Sequence, residues 1–121
     1  MTNPQDIATR YMAAWNETDA KRRRELVAAL WTEDATYVDP MMKGDGRDGI
    51  EALISGVQTK FPDHRFALIG TPDGYGDHVR FSWQLGPTGG AALVKGTDFA
   101  VVSNGRLKAV TGFIDQLPPG M

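Results

Sequence analysis

Residues 92–107 read Ala92-Leu93-Val94-Lys95-Gly96-Thr97-Asp98-Phe99-Ala100-Val101-Val102-Ser103-Asn104-Gly105-Arg106-Leu107. An apolar, β-branched run leads into Asn104-Gly105, the strongest hairpin signal in the chain, because a tight two-residue turn needs positive φ at both positions. The run therefore reads as a strand over Ala92–Val102, followed by an antiparallel partner over Arg106–Gln116. Strand side chains alternate between faces, so Asp98 shares its face with Val94, Gly96, Ala100 and Val102, all small or apolar. A carboxyl placed there must find a hydrogen-bond partner, shift its pKa, or face a cavity.

Two more strands precede this hairpin, over His64–Thr71 and Val79–Leu85, with turn chemistry at Pro72–Asp77, Gly86–Gly90 and Ser103–Gly105. In the second, Val79, Phe81, Trp83 and Leu85 point one way while Arg80, Ser82 and Gln84 point the other. The C-terminal half is thus an antiparallel meander.

The N-terminal half has the helical period instead. Ile7, Tyr11, Ala14 and Trp15 recur at i, i+4, i+7 and i+8, behind Asn3 as N-cap and Pro4 at the first helical position. Thr18 or Asp19 caps a second helix that ends at Leu30 and buries Leu26, Val27 and Leu30, and Lys21-Arg22-Arg23-Arg24 reads as a solvated face. Thr36-Tyr37-Val38 is a short strand stopped by Asp39-Pro40, and Met41–Gly46 is a loop with two glycines. A third helix over Arg47–Phe61 carries Ile50, Leu53, Ile54, Val57 and Phe61, and Pro62 ends it. The sum is an α+β layout: three N-terminal helices laid on one face of a strongly curved, mostly antiparallel sheet. Such a sheet, closed over its helices, forms a cone with one open mouth, where pockets form readily.

Size and charge narrow the function classes. A chain of 121 residues with a 41% hydrophobic and 23% charged share reads as one soluble domain, 1–121. A net charge of −2 gives no electrostatic case for nucleic acid or an anionic membrane. The absence of cysteine removes disulfides, thiolate metal sites and thiol nucleophiles. The first residues lack a basic segment followed by an apolar run, and no apolar stretch reaches membrane-spanning length, so the expectation is a cytoplasmic protein. No His, Asp and Glu spacing suggests a metal, and no glycine-rich phosphate loop joins a strand to a helix, so no cofactor is expected.

The segments Tyr11–Trp15, Trp31-Thr32-Glu33-Asp34-Ala35-Thr36-Tyr37-Val38-Asp39-Pro40 and Gly46-Arg47-Asp48-Gly49-Ile50, followed by Gly96-Thr97-Asp98-Phe99 and Asn104–Leu107, resemble the SnoaL-like branch of the NTF2-like superfamily over nearly the whole chain. The resemblance implies the cone-shaped, cystatin-like α+β fold with a deep apolar cavity, and dimers through the outer sheet face. It does not fix the activity, since that superfamily holds isomerases, cyclases, dehydratases, epoxide hydrolases and non-catalytic modules. A homodimer is also expected because Leu93, Phe99 and Val101 make the second face of the Asp98 strand apolar.

In motif terms three residues match the working parts of a ketosteroid isomerase: Tyr11 the phenol donor, Asp39 the proton-shuttling base, and Asp98 the protonated acid facing the oxyanion. Independently of the family, removing a proton α to a carbonyl needs a positioned carboxylate and donors aimed at the enolate oxygen. Cyclases of this family also place an acid/base Asp on the Asp98 strand, so Asp98 does not separate isomerase from cyclase. Asp39 before Pro40 equally fits a turn anchor, and Tyr11 fits a core position. His64 and His78 stand at strand starts and suit the surface, with His78 or Arg80 able to reach the mouth. The family's epoxide-hydrolase pattern needs an Arg and an Asp on one strand opposite a second Asp, and it is disfavoured because Arg80 is followed two residues on by Ser82. Trp15, Phe61 and Phe81 are candidate ligand contacts, and Met41 is a flexible cap on the mouth. The expected function is a cofactor-independent isomerase or cyclase acting on a hydrophobic carbonyl ligand. The alternative is a non-catalytic binding or assembly module that uses the same cavity.

Overall fold

In the computed structural model, which describes residues 3–120, two helices, α1 (Pro4–Asn16) and α2 (Ala20–Leu30), precede β1 (Trp31–Val38) and β2 (Lys43–Asp45). Then come α3 (Gly46–Lys60), β3 (His64–Tyr75), β4 (His78–Pro87), β5 (Val94–Ser103) and β6 (Arg106–Gln116). The strands form one six-stranded sheet in the order β2-β1-β6-β5-β4-β3. Every neighbouring pair is antiparallel except β1 and β6, which are parallel. The sheet is open, with β2 and β3 at its edges, and not closed over its helices as expected. The third helix follows an early strand, as expected, and α3 carries the chain from one edge strand to the other. That crossover is what puts β6, last in sequence, beside β1.

The helix signals hold in detail. The Asn3 side chain accepts from the Asp6 amide at 3.1 Å, and of the two candidate caps of α2 it is Asp19 that accepts, from the Arg22 amide at 2.9 Å. Ile7, Tyr11, Ala14 and Trp15 are buried, as are Val27 and Leu30, with Leu26 half-buried. Arg23 departs from the expected solvated face. It is 5% exposed, with Nε 2.7 Å from Glu51 Oε1 and Nη1 donating to Gln58 Oε1 at 2.7 Å and to the Glu17 carbonyl at 3.0 Å. The cause is spacing: Arg23, Val27 and Leu30 lie at i, i+4 and i+7, so the arginine shares the buried stripe and finds its partners on α3. Lys21, Arg22 and Arg24 are exposed.

Three strand boundaries move for identifiable reasons. β1 begins at Trp31 rather than Thr36, and its polar stretch Thr32-Glu33-Asp34 coincides with a register shift against β6. β2 falls in the expected Met41–Gly46 loop, where Gly44 pairs with Tyr37; a Cβ there would come within 2.7 Å of Leu53 Cδ1, so glycine lets α3 close on the strand. β3 runs through Pro72 to Tyr75, and the turn shrinks to Gly76-Asp77. Proline is tolerated because β3 is an edge strand with an irregular register between Ile69 and Asp73, so no ladder bond is lost to its missing N–H. β4 alternates as expected, and Asn104 (φ 51°) and Gly105 (φ 76°) make the β5–β6 hairpin turn.

Candidate active site

Asp98 lies on the helix-facing side of β5 between the small residues Gly96 and Ala100, both buried. A Cβ on Gly96 would collide with the Trp83 indole and come within 2.8 Å of the Phe113 carbonyl oxygen, so glycine lets Trp83 lie flat against the strand beside the acid. Asp98 is 2% exposed. From α1, Tyr11 Oη donates to Asp98 Oδ2 at 2.8 Å across 87 residues of sequence, while Asp98 Oδ1 is buried with no hydrogen-bond partner. Burial pushes the Asp98 carboxyl up, the Tyr11 hydrogen bond and the nearby Trp83 indole oppose this, and the Asp39 charge adds to it; the result is about 6. The Tyr11 phenol is held well above its usual value, first by burial and then by the Asp98 charge.

Asp39 is tied into its loop. Its Oδ1 accepts from the Met41 and Met42 amides at 2.7 and 2.9 Å, and its Oδ2 accepts from Tyr37 Oη at 2.6 Å. The Tyr37 phenol is pushed up by burial and then by the charges of Asp98 and Asp39. The turn-anchor reading of Asp39 is therefore satisfied in full, yet the residue also borders the same hollow as Asp98. The junction is Gly112 of β6, paired with Asp98. A Cβ there would lie 2.8 Å from Asp98 Oδ1, 3.1 Å from Asp39 Cβ and 3.4 Å from Tyr37 Oη. By the triangle inequality Asp98 Oδ1 and Asp39 Cβ are no more than about 6 Å apart. Any side chain at this position would push into the carboxyl.

Around these groups is a cavity of about 300 Å³, walled by α1, α3 and the inner face of the sheet. Tyr11, Asp39, Asp98, Trp15, Phe61 and Met41 all border it. Phe81 does not: it is buried behind Tyr11, with ring centroids 4.9 Å apart edge to face, because its position on β4 falls beneath α1 rather than beside the opening. His78 and Arg80 do not reach the cavity either, since they pair at the surface with Asp77 and Asp73, both at 3.3 Å. Sequence reading passed over Tyr37 and Gly112. Tyr37 precedes Asp39 by two positions on one strand face, and Gly112 is a lone glycine inside a strand, a mark of close approach. Among the described residues no cluster of His, Asp and Glu is arranged to hold a metal, and no helix is long and apolar enough to cross a membrane.

A family model described as a SnoaL-like domain matches residues 8–110. No curated protein matches the chain. Among solved structures, a candidate isomerase of the SnoaL-like family from Agrobacterium tumefaciens is 48% identical, with TM-score 0.90, over 95% of this chain and 99% of that one. A candidate ketosteroid isomerase from Kribbella flavida (24% identity, TM-score 0.71, 97% and 83% covered) shares the fold. So does a candidate polyketide cyclase from Sinorhizobium meliloti (16% identity, TM-score 0.69, 88% and 93% covered). With a family match over most of its length and a solved relative almost half identical, the chain belongs to the SnoaL-like family.

Proposed function

We propose that the chain takes an apolar carbonyl compound into the cavity and moves a proton on it with Asp98, as a cofactor-independent isomerase or cyclase. The observation that supports this is Asp98 Oδ1, a buried carboxyl oxygen without a partner in a residue that borders the cavity. A carboxyl with a pKa of about 6 is mostly ionised at neutral pH and only weakly separated from it, which suits a general base that must also return its proton. In the step proposed, Oδ1 takes the proton from the carbon α to the carbonyl, and the C–H electron pair moves into the enolate. Return of the proton to another carbon completes an isomerisation; attack of the enolate carbon on a second carbonyl forms the new C–C bond, and the alkoxide that results takes the proton back from Asp98 to complete a cyclisation.

This assigns the roles differently from the ketosteroid isomerase pattern. Tyr11 spends its proton on Asp98 Oδ2 and fixes the carboxyl's orientation, while Asp39, already accepting three hydrogen bonds, acts on Asp98 through its charge. The test is deuterium incorporation at the α-carbon of a panel of bicyclic ketones such as 2-tetralone. Wild-type protein should accelerate it with an acidic limb, the rate falling as the pH drops below about 6, and Asp98→Asn should lose about 10²–10⁴ of that acceleration while still binding. Binding without acceleration by the wild type supports the non-catalytic module, and neither binding nor acceleration contradicts a ligand site.

A homodimer through the outer sheet face belongs to the same proposal. Phe99 and Phe113 are 44% and 54% exposed there and stack edge to face at 5.7 Å. Sedimentation should show a dimer that Phe113→Glu converts to monomer; a wild-type monomer would contradict it.

A further inference from the structure

A second hollow, of about 240 Å³, lies against the main cavity, beside the α1–α2 junction and the turn from α3 into β3. The two share Trp15, Val57, Phe61, Phe66 and Leu85, and these five side chains are the wall between them. Four of the five are fixed. The Trp15 ring packs against Tyr11, Tyr37 and Phe66 at centroid distances of 5.9, 5.8 and 5.5 Å, and Phe66 packs in turn on Trp83 at 5.4 Å. The Asn16 side chain also clamps the Phe66 backbone, donating to its carbonyl at 2.9 Å and accepting from its amide at 2.8 Å. Leu85 is buried on β4, and Val57, β-branched inside α3, has one strongly preferred rotamer.

Phe61 is the exception. It caps the C-terminus of α3, its N–H bonded to the Val57 carbonyl at 2.9 Å, and Pro62 stops the helix directly after it. Its half-buried ring lies 5.5 Å from the His64 ring and 5.8 Å from the Lys60 ammonium, and both of those side chains reach solvent. Volume shows what this wall excludes. A dry cavity of about 150 Å³ holds one benzene ring, so the main cavity, at about 300 Å³, has room for about two. A ligand that grows toward the exposed rim at Met41, Lys60 and Leu117 leaves its added surface in water and gains little. One that grows toward the second hollow meets Phe61. We infer that Phe61 determines specificity as a removable partition: it confines the site to one- and two-ring compounds by closing off space that would take a third ring. This rests on the reading of the cavity as a ligand site and adds a size class to it.

2-Tetralone and 6-phenyl-2-tetralone, the same ketone lengthened by one ring, test this by calorimetric titration. Wild-type protein should bind the longer ketone no more tightly than the shorter, although it has more apolar surface to bury. Phe61→Ala should prefer the longer ketone by about tenfold or more, the scale of burying one aromatic ring. In that complex the added phenyl should show nuclear Overhauser contacts to the methyl group of Thr18, which borders the second hollow and not the main cavity. Phe61→Leu removes the ring at less cost to the helix end and should show the same preference in weaker form. A tenfold preference of the wild type for the longer ketone, no such preference in either variant, or a bound phenyl without contacts to Thr18 would overturn the inference. If 2-tetralone binds and exchanges its α-proton while neither variant gains, the partition fails and the acid/base reading stands. If 2-tetralone binds none of the three proteins, the ligand-site reading fails and the partition with it.

Discussion

Asp98→Asn is expected to stabilise the protein by about 3 kcal/mol near pH 8 and to leave it little changed as the pH falls toward 4. The sign follows from the direction of the shift. The folded state holds the Asp98 proton more tightly than the unfolded chain, with a pKa of about 6 against 3.8. The stability this contributes is complete below 3.8 and is lost as the pH rises through 6, at about 1.4 kcal/mol for each unit between the two values. Asparagine cannot ionise, so it escapes the loss, and its side-chain oxygen still accepts from Tyr11. Urea unfolding of both proteins at several pH values between about 4 and 8 checks this. A variant that is less stable throughout, by a constant amount, would show that burial does not disfavour the charged carboxyl. Together with the expected loss of proton exchange, the gain would mark Asp98 as a residue retained at a cost to stability because the site uses it.

Arg23→Ala, although it lies outside the cavity, should cost about 3 kcal/mol. It would leave Glu51 without its 2.7 Å partner and remove the donor from Gln58 Oε1 and from the Glu17 carbonyl. Gln58 in turn donates to the Trp15 and Glu17 carbonyls, so the network ties the end of α1 to α2 and α3. Glu51 keeps some contact with water, which places the cost at the lower end of the range for broken buried pairs. Replacing both partners, as Arg23→Met with Glu51→Met, should recover most of the loss, because no uncompensated charge remains. A shift in urea midpoint equivalent to less than about 1 kcal/mol for Arg23→Ala would mean that the network contributes little.

What the sequence made legible follows the range over which each signal acts. The stripe Ile7, Tyr11, Ala14 and Trp15, the alternation in β4, and the Asn104-Gly105 turn are set within a few residues, and each folds as its spacing implies. Asp98 stood out for the same reason, since a period of two fixes its face. The misreadings are long-range. The three residues of β2 are too few to show a period, and Pro72 reads as a breaker until β3 is known to be an edge strand. The inward turn of Arg23 depends on acceptors 28 and 35 positions away. The Tyr11–Asp98 hydrogen bond and the meeting of Asp98, Asp39 and Tyr37 around Gly112 were likewise beyond local pattern. Family resemblance suggested the three candidate residues, but only the geometry showed Asp39 locked by its loop and Asp98 left with a free oxygen.

The central claim is that one carboxyl, shut away from water among apolar side chains, keeps an oxygen for whatever enters the cavity. Following the side-chain ¹³C resonance of Asp98 from about pH 3 to 9 tests this most directly, with Asp98→Asn identifying the signal. A midpoint near 6, displaced when 2-tetralone is bound, is the result expected. An ordinary midpoint near 3.8 that no ligand moves would contradict it.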